Sequence, residues 1–163
     1  MVRSATGTLK INCDGAFIQD TLNGSWGLFI IRDRQSDAVA AAVAAGAGRL
    51  SAVPDALTAE TAACAKALQS SIDFGISRIQ LEMDSSVLKK ALLSSSMDLA
   101  ASGMLIRDTR ELLHGYFVCN DVMSVPQVCN SVAHELARMG MSCNAGESCV
   151  WTNRLPEFVK NLQ

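Results

Sequence analysis

The spacing of the apolar residues changes period once along this chain, and the place where it changes sets what the chain can fold into. Before residue 50 the period is two. "LKINCD" puts Leu9, Ile11 and Cys13 on one side and Lys10, Asn12 and Asp14 on the other, as in a strand with one face buried. "GAF" then releases the chain. "SWGLFIIRD" is a second, more continuously apolar strand, and the polar "RDRQSD" turns it into "AVAAAVAAG". That segment reads as the third strand of an antiparallel meander, against the helix preference of its alanines.

From Pro54 and Asp55 the period becomes helical. Leu57, Cys64, Leu68 and Ile72 make one stripe, which Gly75 closes. "ISRIQLEMD" returns to strand, opposing Ile79, Leu81 and Met83 to Gln80, Glu82 and Asp84. "SSVLKKALLSS" and "MLIRDTRELLHGY" follow as helices, "VCNDVMSVP" as the last strand and residues 130–140 as the final helix. Strands alternating with helices add parallel pairs beside an existing sheet, so the class is α/β with a mixed sheet. Residues 1–140 are expected to form the domain. Residues 141–163 are expected to be a loosely structured tail, packed on it or extending from it and ending in the amphipathic "LPEFVKNL".

A chain of 163 residues suits a single core. With 49% apolar but only 5% aromatic residues, that core should rest on small and aliphatic side chains, which favours helices lying close to a sheet. The net charge of −2 argues against a broad basic clamp for nucleic acid but leaves room for a short, metal-bridged contact. Six cysteines without CxxC spacing, and no N-terminal hydrophobic signal segment, read as reduced thiols in a cytoplasmic or nuclear protein. No uninterrupted apolar run reaches membrane-spanning length, so a soluble protein is expected.

Two aspartates occupy matching places: Asp14 ends one expected strand and Asp84 another, each opposite its strand's apolar set. Glu60 lies in the first turn or two of the 55–75 helix, with Ala63, Cys64 and Ala67 on its face, small enough to let the helix approach the sheet. If the two strands are neighbours, three carboxylates converge, and their repulsion calls for divalent cations, with magnesium or manganese suited to oxygen donors. Taken singly, each acid has a plainer reading. Asp84 would be a helix N-cap, Glu60 a complement to the helix dipole, and Asp14 a turn residue before Gly15.

In order along the chain, "INCDGAF", "GLFIIRD", "AETAACAKAL", "GISRIQLEMDSSVL" and "VPQVCNSVAHELARMG" resemble the ribonuclease H superfamily, and within it the plant reverse-transcriptase-like, retroelement-derived RNase H domains. The tail "CVWTNRLPEFVKNL" is similar to endings in that branch. The resemblance implies a five-stranded mixed sheet, three antiparallel strands then two parallel ones, flanked by helices. It implies two-metal hydrolysis of the RNA strand of an RNA–DNA hybrid, with magnesium or manganese as cofactor and no small-molecule cofactor. Asp14 would bridge both ions, Glu60 and Asp84 would hold one, and a fourth ligand the other. Gly15, Ala16, Ser85 and Asn130 are the expected substrate contacts, with Asn130, one turn before His134 on the same helix face, alternatively orienting the metal site. A protein partner is compatible with the same scaffold, and no membrane is involved.

The family's fourth acid falls at His134 in "NSVAHELA". Glu135 points about 100° away around the helix and is a poor substitute. A neutral imidazole brings no negative charge and is a poorer partner for magnesium than for manganese. Three outcomes follow: a nuclease with a histidine ligand, a nuclease with reduced activity or a manganese preference, and an impaired module kept for nucleic-acid or protein interaction. A fourth reading makes His134 a helix-surface or capping residue. The segment 91–106 lacks the basic, tryptophan-bearing handle of cellular relatives, and "SVPQVC" lacks their mobile histidine and carries Gln127 after its proline. His114, Lys89, Lys90 and Asp108 read as surface residues, Trp26 and Trp151 as core or tail anchors.

Overall fold

The computed structural model describes residues 7–32 and 41–161, the side chains of residues 119 and 120 excepted. Apart from Arg32, the expected polar turn "RDRQSD" lies outside the described residues. Strand β1 (Leu9–Ile18), β2 (Asn23–Arg32) and β3 (Ala41–Leu50) form the meander. Helix α1 (Ala56–Asp73), β4 (Arg78–Met83), α2 (Ser86–Leu93), α3 (Gly103–Tyr116), β5 (Val118–Ser124) and α4 (Ser131–Gly140) follow, a short 3-10 turn over Gln127–Asn130 leading into α4. The sheet order is β5-β4-β1-β2-β3-β6, parallel across β5-β4-β1 and antiparallel elsewhere.

Among the described residues the sheet therefore has six strands where five were expected. The sixth, β6 (Ser148–Trp151), comes from the tail and pairs antiparallel with β3. The tail is ordered as well as packed. Helix α5 (Glu157–Asn161) places Val159, fully buried, with Phe29, Ala45, Ala47, Val132 and Leu136. Covering an otherwise open edge of β3 satisfies its backbone groups, which a loose tail would leave to solvent.

β1 differs from its sequence pattern in two ways. It runs past Asp14 to Ile18, because residues 14–18 keep their antiparallel register with Gly27–Asn23 after the pairing with β4 has stopped at Asn12 and Glu82. Both of its faces are buried. Leu9, Ile11 and Cys13 pack with Ala59, Ala63, Cys64 and Ala67 of α1, while Asn12 and Asp14, on the other face, are only 5% and 6% exposed. The side read as solvent-facing lies toward α4.

β3 is a strand despite its alanines because its neighbours leave no room for larger residues. A Cβ on Gly48 would stand 2.6 Å from Nε1 of Trp26, and one on Gly140 of α4 would stand 2.7 Å from the Gly48 carbonyl oxygen. Small side chains on β3 are the condition for α4 to lie against the sheet, and packing overrides propensity. Ser25 reinforces the contact, its hydroxyl donating to the Ala137 carbonyl at 2.5 Å.

Candidate active site

Asp14 stands on β1 two residues past the end of its parallel pairing with β4, and Asp84 follows the last residue of β4. Parallel neighbours end at the same edge of a sheet, so the two carboxylates come together there. Helix α1 delivers the third. Its approach depends on Gly15, because a Cβ there would lie 2.5 Å from the Ala59 carbonyl oxygen and 2.7 Å from the Glu60 nitrogen. Ligand oxygens of Asp14, Glu60 and Asp84 all lie within 4.8 Å of one another.

The plainer readings of the three acids do not hold. Asp14 sits inside a strand. The N-cap of α2 is Ser85, whose hydroxyl accepts from the Leu88 N–H at 3.1 Å, leaving Asp84 outside the cap. Asp55 caps α1, accepting from Thr58 N–H at 2.7 Å, so Glu60 stands in the second turn, beyond the strongest reach of the helix dipole.

Asp14 and Glu60 resist ionisation. Desolvation, then repulsion from Asp84, pushes the Asp14 carboxyl up to about 6, against the opposing pull of His134 and the Gly15 backbone N–H. Glu60 is raised too, mainly by burial and further by Asp84 and Asp14, while a hydrogen bond from Ser85 works the other way. A half-buried group of acids held this close lacks counter-charge, and its oxygen donors fit a divalent cation of the hard class.

His134 stands beside the cluster, its Nδ1 2.8 Å from Oδ2 of Asp14. Its side chain is only part-buried and is joined to the acids through that contact. Glu135 turns away and pairs with Arg138 at 3.0 Å. Of the expected substrate contacts, Ser85 and Gly15 touch the acids as described and Ala16 is half-buried beside them on β1. Asn130 differs. It is 1% exposed, donates to the Cys13 carbonyl at 3.0 Å and accepts from Asn12 at 3.1 Å, so it ties α4 to β1 from below the site. Asn12 and Glu82 were missed as site components because alternation placed them on a solvent-facing side. The available signal was the run of polar residues on that face, Lys10 and Asn12 on β1 and Gln80 and Glu82 on β4, which pair Lys10 with Gln80 and Asn12 with Glu82.

Away from the acids, Lys89 and His114 line a separate crevice between α2, α3 and β5, Asp108 is exposed, and Trp26 is a core residue. Trp151 packs with the α5 cluster. Cys13 and Cys64 are buried free thiols, and Cys129, Cys143 and Cys149 are free as well. No helix among the described residues is long and apolar enough to cross a membrane.

The chain is similar in fold to RNase H1 from the halophilic archaeon Halobacterium salinarum NRC-1, with 23% identity and a TM-score of 0.67 over 83% of this chain and 98% of that one. It is similar to an N-terminal RNase H domain from Mycobacterium tuberculosis, with 17% identity and a TM-score of 0.64 over 83% and 99%. LC11-RNase H1, isolated from compost and solved in complex with an RNA/DNA hybrid, aligns with 15% identity and a TM-score of 0.59 over 82% and 96%. No curated protein matches the chain. A family model described as "Reverse transcriptase-like" matches residues 12–140, the span that holds Asp14, Glu60, Asp84 and His134. With its fold and most of its length accounted for in this way, the chain belongs to the reverse transcriptase-like family of RNase H-like domains.

Proposed function

We propose that this chain is a ribonuclease that hydrolyses the RNA strand of RNA–DNA hybrids with bound magnesium or manganese. The observation that carries the reading is the convergence of Asp14, Glu60 and Asp84 within 4.8 Å at one sheet edge, with His134 against Asp14. The similarity of the fold to an RNase H1 solved with a hybrid supports the choice of substrate.

Asp14, between the other two acids and His134, is suited to face two ions, with Glu60 and Asp84 toward one and His134 toward the other. The chemistry such ions supply is activation of a water and neutralisation of the leaving oxygen. The protein's part is to hold the carboxylates in a partly desolvated edge, where their charge is felt strongly. Gly15 and Ser85 complete that task, one by letting α1 approach and one by fixing Glu60 with its hydroxyl. His134 orients the second oxygen of Asp14 but adds no negative charge, so the second ion is held less firmly and manganese is favoured over magnesium.

One observation favours a second reading. The His134 contact already occupies an oxygen of Asp14, which suits a module that keeps the fold for nucleic-acid or protein interaction with impaired catalysis. Cleavage of a labelled hybrid in magnesium and in manganese, by the native chain and by Asp14→Asn, separates the two. Cleavage by the native chain that is lost in the variant supports the nuclease. Cleavage absent in both metals, or equal in the variant, sinks it.

A further inference from the structure

Beneath the acids runs a buried polar chain that the proposed chemistry does not use. Lys10 Nζ lies 3.3 Å from Glu82 Oε1. The Asn12 amide donates to Glu82 Oε2 at 2.9 Å and to Asn130 Oδ1 at 3.1 Å, and the Asn130 amide donates to the Cys13 carbonyl at 3.0 Å. Glu82 is 7% exposed, Asn12 5% and Asn130 1%.

We infer that Asn12 is a positioning residue, which sets His134 against Asp14 by holding Asn130 at the start of α4. This rests on the metal-site reading above and names what aligns that site. Asn130 is the residue before α4, and its side chain makes no capping bond to that helix. Its amide bonds to β1 instead, accepting from Asn12 and donating to the carbonyl of Cys13, the residue that precedes Asp14. His134 is one helical turn further on, so the first turn of α4 is pinned to the two β1 residues that precede Asp14. Asn12 uses both protons of its amide, one for each neighbour, and neither aspartate nor leucine at this position could supply them. The Glu82 bond and its Lys10 partner hold the Asn12 amide in the orientation this requires. A buried amide network of this kind is worth most when every member is satisfied, which fixes one arrangement over alternatives.

The test reads the metal-free protein at about pH 8, above the raised carboxyl of Asp14, by proton–nitrogen correlation of the histidine rings. The chain has two histidines, and His114, exposed in the last turn of α3, is an internal control. The native chain is expected to give a protected His134 Nδ1–H signal. In Asn12→Ala that signal is lost while the His114 signal and the cooperative unfolding transition remain. Glu82→Gln, which keeps an acceptor for Asn12, leaves it in place. Should Asn12→Ala fail to fold, Asn130→Ala breaks the same link from the helix side and is read in the same way. Manganese binding by calorimetry is the second readout: Asn12→Ala weakens it about 10-fold in the native background and leaves it unchanged in a His134→Ala background. A His134 signal unmoved in folded Asn12→Ala, equal loss of manganese affinity with and without His134, or no protected signal in the native chain overturns the inference. A native chain with the protected signal but no hybrid cleavage refutes the nuclease reading alone.

Discussion

Nδ1 of His134 lies 2.8 Å from Oδ2 of Asp14 and joins α4 to β1 across 120 residues of sequence. The contact works against burial and against Asp84, both of which raise the Asp14 carboxyl. His134 thus offsets part of the rise in the Asp14 carboxyl, from the position where the resemblance implies a fourth acid. Replacing it tests whether that position belongs to an ion site.

His134→Asp removes that help and adds a fourth negative charge. The metal-free melting temperature should fall, and the stabilisation by saturating magnesium should grow, by about 1.4 kcal/mol for each ten-fold tightening of binding. Thermal unfolding across a magnesium titration checks this. A magnesium response equal to that of the native chain would mean that the position is not part of the ion site.

The pH dependence of the metal-free protein follows from Asp14. Its folded value of about 6 lies above its ordinary 3.8, so between those values the folded state binds more protons than the unfolded one. The contribution of Asp14 to stability is therefore greatest below about pH 4, falls as the pH rises through 6, and levels off above, by an amount on the order of 3 kcal/mol. Glu60, raised in the same direction, adds to the fall. Urea unfolding of the native chain and of Asp14→Asn at several pH values reads this directly, and the variant should lose much of the slope.

Gly15→Ala and Gly27→Ala probe the approach of the two helices that carry the site. The added Cβ at residue 27 would stand 2.2 Å from the Ala133 carbonyl oxygen and 2.4 Å from the Ala137 nitrogen, and neither backbone atom can swing aside. Each substitution should destabilise by about 3 kcal/mol or more. Manganese affinity should weaken in whatever remains folded, since Gly15→Ala displaces Glu60 and Gly27→Ala displaces His134. Denaturant midpoints and calorimetry measure the two effects.

Ser85→Ala removes both the cap of α2 and the hydrogen bond to Glu60. Stability should drop by about 1 kcal/mol. Glu60 should become harder to ionise, which nuclear magnetic resonance titration of its carboxyl would report as a further upward displacement. Ser85→Thr should preserve both.

Ending the chain at residue 140 tests whether 1–140 is a self-sufficient domain. The truncation opens the β3 edge that β6 pairs with and strips the cover from Phe29, Ala45 and Leu136. Loss of Val159 alone removes about 1.5–3 kcal/mol of apolar burial. Aggregation or a lowered melting temperature is the expected result, and unchanged solubility and stability would show that the tail is dispensable.

Much of the site was legible because it lies where periodicity ends. Asp14 and Asp84 could be named from the ends of two alternating runs, and Glu60 from small residues on its helix face. Asn12 and Glu82 could not, since alternation distinguishes two faces of a strand but does not say that both are covered. Asn130 looked like a site-facing group for the same reason: its spacing from His134 was visible, whereas the β1 carbonyl it reaches is distant in sequence. The strand character of "AVAAAVAAG" lay at the edge of what local preference can tell, because its alanines are selected by Trp26 and Gly140 and not by its own backbone.

By itself the sequence determined the order of strands and helices and where the three acids fall on them, since these follow from local spacing; the histidine's fourth place follows from the family resemblance alone. Only the tertiary structure decided that the sheet has a sixth strand, that β1 is buried on both sides, and that His134 meets Asp14 while Asn130 turns inward. Those outcomes depend on which surfaces come to lie against one another, and hydrogen-bond satisfaction of buried polar groups is a property of the assembled layers, not of any one segment.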